Sequence, residues 1–328
     1  MKNACVVGYG AVGPVHAAAI SDSEYAKLYA ICDIEQDKTN ECKKKYGCIA
    51  YNDFDIMLQD ENIDVVHICT PHYLHKDMAV KALLSGKHVV LEKPIAMNDD
   101  ELDELEEVVN KSDKKLCVMV QNRANVCVEK MHEIASDDCT GKLVGIIGNL
   151  NWKRTEEYYA SGEWRGKWDT EGGGLLINQA LHLVDLMLYF GGNVKEMHSD
   201  IKRWKIKNIE VEDTASALFE FESGARGIFN ATNCYITDEP YYIELKFENR
   251  HLRYADGFLY DITENGCNVI AKDDVVMIGK GYWGCGHHTV ISNFYSSLEG
   301  TQMKYSSFDD VKNSMKTVFS FYKEGRRV

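Results

Sequence analysis

The first third of the chain alternates two periods. Apolar, β-branched runs (ACVVGYG at 4–10, KLYAICD at 27–33, DVVHICT at 64–70, HVVLEKP at 88–94 and KLCVMVQN at 115–122) are separated by segments whose apolar positions recur at helical spacing. Strands that are apolar end to end, joined through helices, predict a parallel sheet covered on both faces. Among the helices, 98–109 reads as an acidic surface helix, with Asn98 placed to cap it and Glu101 to reciprocate. After Gln121 the pattern changes. LLINQALHLVDLMLYF (175–190) is apolar almost all round and predicts a buried helix. Two long alternating runs follow, 215–236 turning at Ser223–Gly224 and 242–262 turning at 248–250 and 255–257, and successive hairpins predict an antiparallel sheet. Stretches at about 287–298 and 308–322 predict closing helices. The fold class is therefore α/β: a doubly wound parallel sheet over residues 1–121 and a second α/β domain over 122–328 with a large, mostly antiparallel open sheet.

Length and composition agree, since 328 residues are comfortable for two cores. Lys+Arg 37 against Asp+Glu 51 gives 37 − 51 = −14, and an acidic chain without a basic stripe repels phosphate backbones and anionic lipid, so neither nucleic acid nor a membrane is expected as a partner. No stretch is read as approaching the roughly 20 apolar residues of a bilayer span, and MKNACVVGYG runs directly into a strand pattern with no cleavable leader, so a soluble cytoplasmic protein is expected. Eleven scattered cysteines without a C-x-x-C read as reduced thiols used for packing. Cys285, His287 and His288 are the sharpest metal suspicion, but no second ligand cluster closes a site, and no metal is expected.

The first turn carries chemistry. Gly8, Gly10 and Gly13 form G-x-G-x-x-G between the first strand and first helix, with Ala11 and Val12 in the same turn. Such a turn brings backbone amides and a helix N-terminus against a pyrophosphate. KLYAICD ends at Asp33, twenty residues after Gly13, where a carboxylate hydrogen-bonds the adenosine ribose. The same carboxylate repels a 2′-phosphate, and no basic residue follows before Lys38, so NAD is favoured over NADP. If adenosine lies over Asp33, nicotinamide lies over the fourth and fifth strands, which end in Thr70, Pro71 and His75 and in Glu92 and Lys93. On the apolar helix, at roughly 100° per residue, Asn178, His182 and Asp185 share one narrow arc with Gln179 at its edge, marking a polar cavity or ligand. Residues 152–168 hold three tryptophans, two tyrosines and two arginines. Arg154, Tyr158 and Arg165 are therefore candidate substrate contacts, against a loop that packs its own aromatics.

With these motifs in place, the chain resembles the glucose-fructose oxidoreductase / inositol dehydrogenase (Gfo/Idh/MocA) family. The resemblance rests on VVGYGAVGPVH (6–16), Asp33, TP-x-x-x-H at 70–75, Glu92-Lys93-Pro94 and EGGGLLINQALHLVD (171–185), and it spans essentially the whole chain. It implies a Rossmann domain, a second domain whose open sheet often mediates oligomers (a homodimer or homotetramer), and a sugar, cyclitol or polyol substrate oxidised or reduced with a nicotinamide cofactor. It also implies that Lys93 is the reactive cation and His182 the acid/base. Physically, an ammonium stabilises a developing alkoxide and an imidazole takes the proton. Asp185 is expected to assist His182, with Asn178 and Gln179 positioning substrate. Two positions depart from the family pattern: Asn178 stands where aspartate is frequent and cannot take a proton at neutral pH, and His72 stands where asparagine is usual. His75 is expected either near the nicotinamide or as a cap of the following helix. Two rivals use the same scaffold: an NAD-assisted glycosidase acting by transient oxidation, and a non-catalytic dinucleotide-bound regulator, against which the joint presence of Lys93 and His182 weighs.

Overall fold

The computed structural model describes residues 1–274 and 286–325. The chain forms two compact units. Among the described residues, the first comprises Met1–Gln121 and Gly286 to Val311, and the second holds Asn122 to Asp274 and Lys312 to Gly325.

In the first unit, strands β1 (Lys2–Val7), β2 (Ala26–Cys32), β3 (Ile49–Tyr51), β4 (Val65–Ile68), β5 (His88–Glu92) and β6 (Leu116–Met119) form a parallel sheet in the order β3-β2-β1-β4-β5-β6. Every residue of β4 and β6 is buried, as an end-to-end apolar run requires when helices cover both faces. β3 escaped the pattern because it is three residues long and none of them is buried. The Asp99–Lys111 helix is capped as its sequence suggests: Asn98 Oδ1 accepts from the Glu101 amide at 2.9 Å, while the Glu101 carboxylate accepts from Met97, one residue earlier than a capping box demands.

The expected second domain of 122–328 is corrected by this division. The Gly286–Leu298 helix buries Val290, Ile291 and Phe294 and packs against the Gly13–Ser21 helix of the parallel sheet. The following segment pairs with β6 through the Val118 amide and the Ser306 carbonyl at 2.8 Å. Apolar periodicity identifies a helix but not which sheet it covers.

In the second unit, β7 (Leu143–Asn151), β8 (Val194–Lys202), β9 (Thr214–Phe221), β10 (Arg226–Thr232), β11 (Tyr242–Phe247), β12 (His251–Ala255), β13 (Phe258–Thr263) and β14 (Gly266–Lys272) form one sheet in the order β14-β13-β12-β11-β7-β10-β9-β8. The hairpins turn where the alternation breaks; only β10 and β7 run parallel. One face is apolar and covered. The Leu181–Gly191 helix packs on β7, and in the Phe308–Gly325 helix Phe321 meets Phe219 and Phe229 at ring-centre distances of 6.1 and 5.5 Å.

Two features of the buried helix differ from expectation. Trp168–Gly191 is long and apolar enough by composition to cross a bilayer, contrary to the reading that no stretch approaches this; 78% of its most apolar window is buried, which makes it a core helix. Its first turns, Leu176–Ala180, are a π-helix before the α-helix begins at Leu181, so a constant 100° step does not carry from Asn178 to His182.

Candidate active site

Each unit contributes its own set of groups. In the first, the backbone at Gly8 has φ +88°, and a Cβ there would lie 2.6 Å from the Cys69 carbonyl oxygen. A Cβ on Gly13 would meet the Gly8 oxygen at 2.3 Å, so the helix can begin this close to β1 only without side chains. Gly10 is the opposite case. It is exposed, and nothing lies within 4 Å of where its Cβ would be, which is the open approach a diphosphate needs at a helix N-terminus. Ala11 is exposed and Val12, the N-cap residue, half-buried beside it.

Asp33 follows β2 and closes over this turn: its Oδ2 accepts from the Tyr9 amide at 2.7 Å and its Oδ1 from the Glu35 amide at 2.9 Å. Lys38, the nearest cation along the chain, is taken by Glu35 at 2.5 Å. These residues fit a nicotinamide dinucleotide: the turn would hold the diphosphate and Asp33 the ribose.

The ends of β4 and β5 are tied together by His75. The side chain is 1% exposed, with Nε2 2.8 Å from the Thr70 carbonyl and Nδ1 2.7 Å from the Pro94 carbonyl. It thus binds the two loops that carry Thr70, Pro71 and Lys93 to each other, a role neither expectation for it included. Thr70, Pro71 and Lys93 keep partial exposure.

Glu92, expected at the cofactor, is instead turned inward. It is 7% exposed, and its Oε1 lies 3.1 Å from His16 Nε2 and 3.5 Å from His287 Nε2. The donor atoms of these three residues all lie within 4.8 Å of one another, a set that could also hold a cation, and both histidine contacts fall on the one oxygen, Oε1. Of the residues first suspected as ligands, His287 thus belongs to the Glu92 cluster, His288 faces Asp22 at 3.2 Å, and Cys285 lies outside the described residues.

The second unit gathers most of the sequence-selected polar residues. Tyr158 Oη accepts from Arg165 Nη1 at 2.7 Å, Gln179 Nε2 at 2.9 Å and Asn178 Nδ2 at 3.5 Å. The guanidinium groups of Arg154 and Arg165 lie 5.2 and 4.7 Å from its ring centre. Arg154 also donates to Asp238 Oδ1 at 2.9 Å, so part of its fork is committed within the protein. Burial pushes the Tyr158 phenol above its ordinary range.

Sequence reasoning missed the anchor of this cluster, Glu171. Fully buried, it accepts from Asn178 Nδ2 and from the Gly166 amide. Asn233 was missed as well; its amide donates to Gln179 Oε1 at 3.0 Å and Tyr159 Oη at 3.1 Å. Glu171 heads the E-G-G-G run, and that position was its one available signal.

Between Glu171 and Leu188 every residue is buried except Asn178 and His182, which are half-buried. Asp185 differs. It is 1% exposed; Arg123 grips it in a fork, Nε to Oδ2 at 2.8 Å and Nη2 to Oδ1 at 2.7 Å, and Ser314 adds a bond to Oδ1 at 2.7 Å. Both oxygens are engaged, which runs against its expected help in proton transfer.

A dinucleotide turn on a parallel sheet, with a lysine closing β5, and a second unit whose core helix bares an imidazole and an amide, together define a nicotinamide-dependent oxidoreductase. Residues 2–122 match the oxidoreductase family with an NAD-binding Rossmann fold, and residues 128–253 match the GFO/IDH/MocA C-terminal domain. The chain belongs to the Gfo/Idh/MocA family. It is 27% identical over 232 residues to the myo-inositol 2-dehydrogenase of Thermotoga maritima, spanning 69% of this chain and 66% of that one. It is 27% identical over 349 aligned positions to the D-glucoside 3-dehydrogenase of Escherichia coli, spanning 91% and 96%. Among solved structures it is similar to the WlbA dehydrogenase of Chromobacterium violaceum in complex with NADH and UDP-GlcNAcA, at 25% identity and a TM-score of 0.88, covering 99% of this chain and 94% of that one.

Proposed function

We propose that the chain is an NAD-dependent oxidoreductase that moves hydride between the nicotinamide and a secondary alcohol or ketone of a sugar, sugar acid or cyclitol. The observation that carries this reading is the partial exposure of His182 and Asn178 within the otherwise buried stretch from Glu171 to Leu188, in a chain that also bears the glycine turn, Asp33 and Lys93. The nicotinamide, when bound, supplies the hydride acceptor or donor. His182 takes the hydroxyl proton, Lys93 stabilises the developing oxyanion, and Asn178 and Gln179 hold substrate hydroxyls. Arg154, Tyr158 and Arg165 offer a stacked cation and phenol surface to the rest of the substrate. Asp185 anchors the helix through Arg123.

The inositol and glucoside dehydrogenases among its relatives, and the sugar nucleotide in the WlbA complex, support this substrate class. NAD rather than NADP follows from Asp33 and from Lys38 being paired with Glu35. Ten described cysteines are free thiols, eight of them at most half-exposed, which fits a reducing, cytoplasmic setting. The open sheet of the second unit serves a homodimer or homotetramer.

The test is a panel of sugars, cyclitols and uronates with NAD⁺, read as NADH absorbance. With a substrate from that panel, Lys93→Met is expected to lower kcat by about two to four orders of magnitude while the NAD⁺ dissociation constant stays within about threefold. Undiminished turnover in that variant would remove Lys93 from the mechanism. Release of an aglycone without net NADH would point to the glycosidase.

A further inference from the structure

A buried chain of hydrogen bonds crosses the first unit beneath the dinucleotide turn. Tyr295 Oη lies 2.8 Å from His67 Nε2, His67 Nδ1 lies 2.9 Å from His16 Nδ1, and His16 Nε2 and His287 Nε2 face Glu92 Oε1. All five side chains are buried, on β4, β5 and the Gly13–Ser21 and Gly286–Leu298 helices.

Its proton positions follow from donor and acceptor logic. An ionised carboxylate only accepts, so His16 and His287 each present Nε2–H to Glu92. Burial lowers the pKa of His16 and that of His67, so both rings are neutral. His16 Nδ1 is then a lone pair that accepts from His67 Nδ1–H, and His67 Nε2 accepts the Tyr295 hydroxyl proton. With Glu92 ionised and His16 and His67 neutral, one arrangement of ring protons satisfies these contacts, and the negative charge sits on Glu92. Burial alone would raise the Glu92 pKa, but the hydrogen bonds from His16 and His287 outweigh it and hold the carboxyl well below its usual range.

The anion has a telling place. Glu92 is the last residue of β5 and precedes Lys93; His16 stands three residues after Gly13, in the helix that opens from the glycine turn. Two redox forms of the cofactor share every group except the nicotinamide, which carries a positive charge when oxidised and none when reduced. A fixed buried charge near that ring therefore acts on the difference between the two forms.

We propose that the buried Glu92 carboxylate, held by His16 and His287, sets the preference of this protein for oxidised over reduced nicotinamide dinucleotide. The inference rests on the proposed placement of nicotinamide over the ends of β4 and β5. Lys93, the adjacent cation, acts in the opposite sense. His75 lies behind both, across the Pro94 carbonyl.

The test compares dissociation constants of NAD⁺ and NADH for the full chain by titration calorimetry and NADH fluorescence, without substrate. In Glu92→Gln the ratio Kd(NAD⁺)/Kd(NADH) is expected to rise on the order of tenfold. Glu92→Asp should keep the ratio within about twofold of the unaltered protein. Should Glu92→Gln fail to fold, His287→Lys carries the test: it keeps the carboxylate, sets an ammonium against it and should raise the ratio likewise. Lys93→Met should lower it. Equal changes in both constants, leaving the ratio where it was, would show that the cluster only supports the fold and would overturn the proposal. Failure of the unaltered protein to bind either form would sink the nicotinamide reading itself, a distinct result seen before any variant is made.

Discussion

Glu212 lies fully buried where the glycine run meets the apolar helix, accepting from the Gly174 and Leu176 amides at 3.0 and 2.9 Å and from Tyr322 Oη at 3.2 Å. Burial outweighs these bonds and raises its pKa to about 7 from an ordinary 4.5. Between those values the folded chain holds a proton that the unfolded chain has released, so stability falls as pH rises and the loss is complete above about pH 7. The gap of 7 − 4.5 = 2.5 corresponds to about 3 kcal/mol. Urea denaturation at pH 5 and pH 8 should show this loss in the unaltered protein relative to Glu212→Gln, which has no such group to titrate. Parallel pH dependences in the two proteins would mean that the carboxyl stays ionised. Single residues were legible in the sequence when their role is local. Gly8, Gly10, Gly13 and Asp33 work through the turn they occupy, and spacing alone marks them. Glu171, Glu92 and His16 were not legible in this way, because their partners come from other elements, as when His16 finds Glu92 76 positions further on.

At the scale of one element, the Leu181–Gly191 helix and the π turn before it were found by composition, but the direction of each polar group was not. Helical projection put Asp185 beside His182 and Asn178. The structure instead buries Asp185 against Arg123, whose side chain is only 12% exposed and lies 4.8 Å from the Tyr189 ring centre. Projection fails here for two reasons: the π turn changes the angular step, and the arginine that claims the carboxylate lies 62 residues upstream. The pair is costly to break and cheap to replace. Asp185→Ala should destabilise the protein by about 3–5 kcal/mol, because it takes both carboxylate hydrogen bonds from a largely buried guanidinium, whereas Asp185→Leu combined with Arg123→Met should recover most of that loss. Urea denaturation of both variants decides the matter. A small loss in Asp185→Ala would mean that water reaches Arg123 when its partner is gone.

On the larger scale the alternation of the second sheet was legible in β9 to β13 but not in β7, β8 and β14, and the meaning of its outward face was not legible at all, since a lone exposed apolar residue is ordinary and only strand register makes a patch of several. Register aligns Leu218 with Ile228 across β9 and β10, and Ile228 with Ile147 across β10 and β7. These residues are 57%, 51% and 36% exposed. The row lies on the face opposite Ala217, Phe219 and Phe229, which the helices cover, and β-pleating puts every other side chain of the same strands outside. In the proposed homodimer or homotetramer this row is one half of the contact, and a second copy of the chain offers the same row in return. Ile228→Glu places a charge at the middle of the row, at a position whose exposure keeps the expected change in monomer stability within about 0.5 kcal/mol. Sedimentation equilibrium should then show the proposed oligomer in the unaltered protein and a monomer in the variant, with the far-ultraviolet spectrum and NAD⁺ binding retained. An unchanged mass in this variant would place the contact between copies elsewhere and leave the apolar row without a partner.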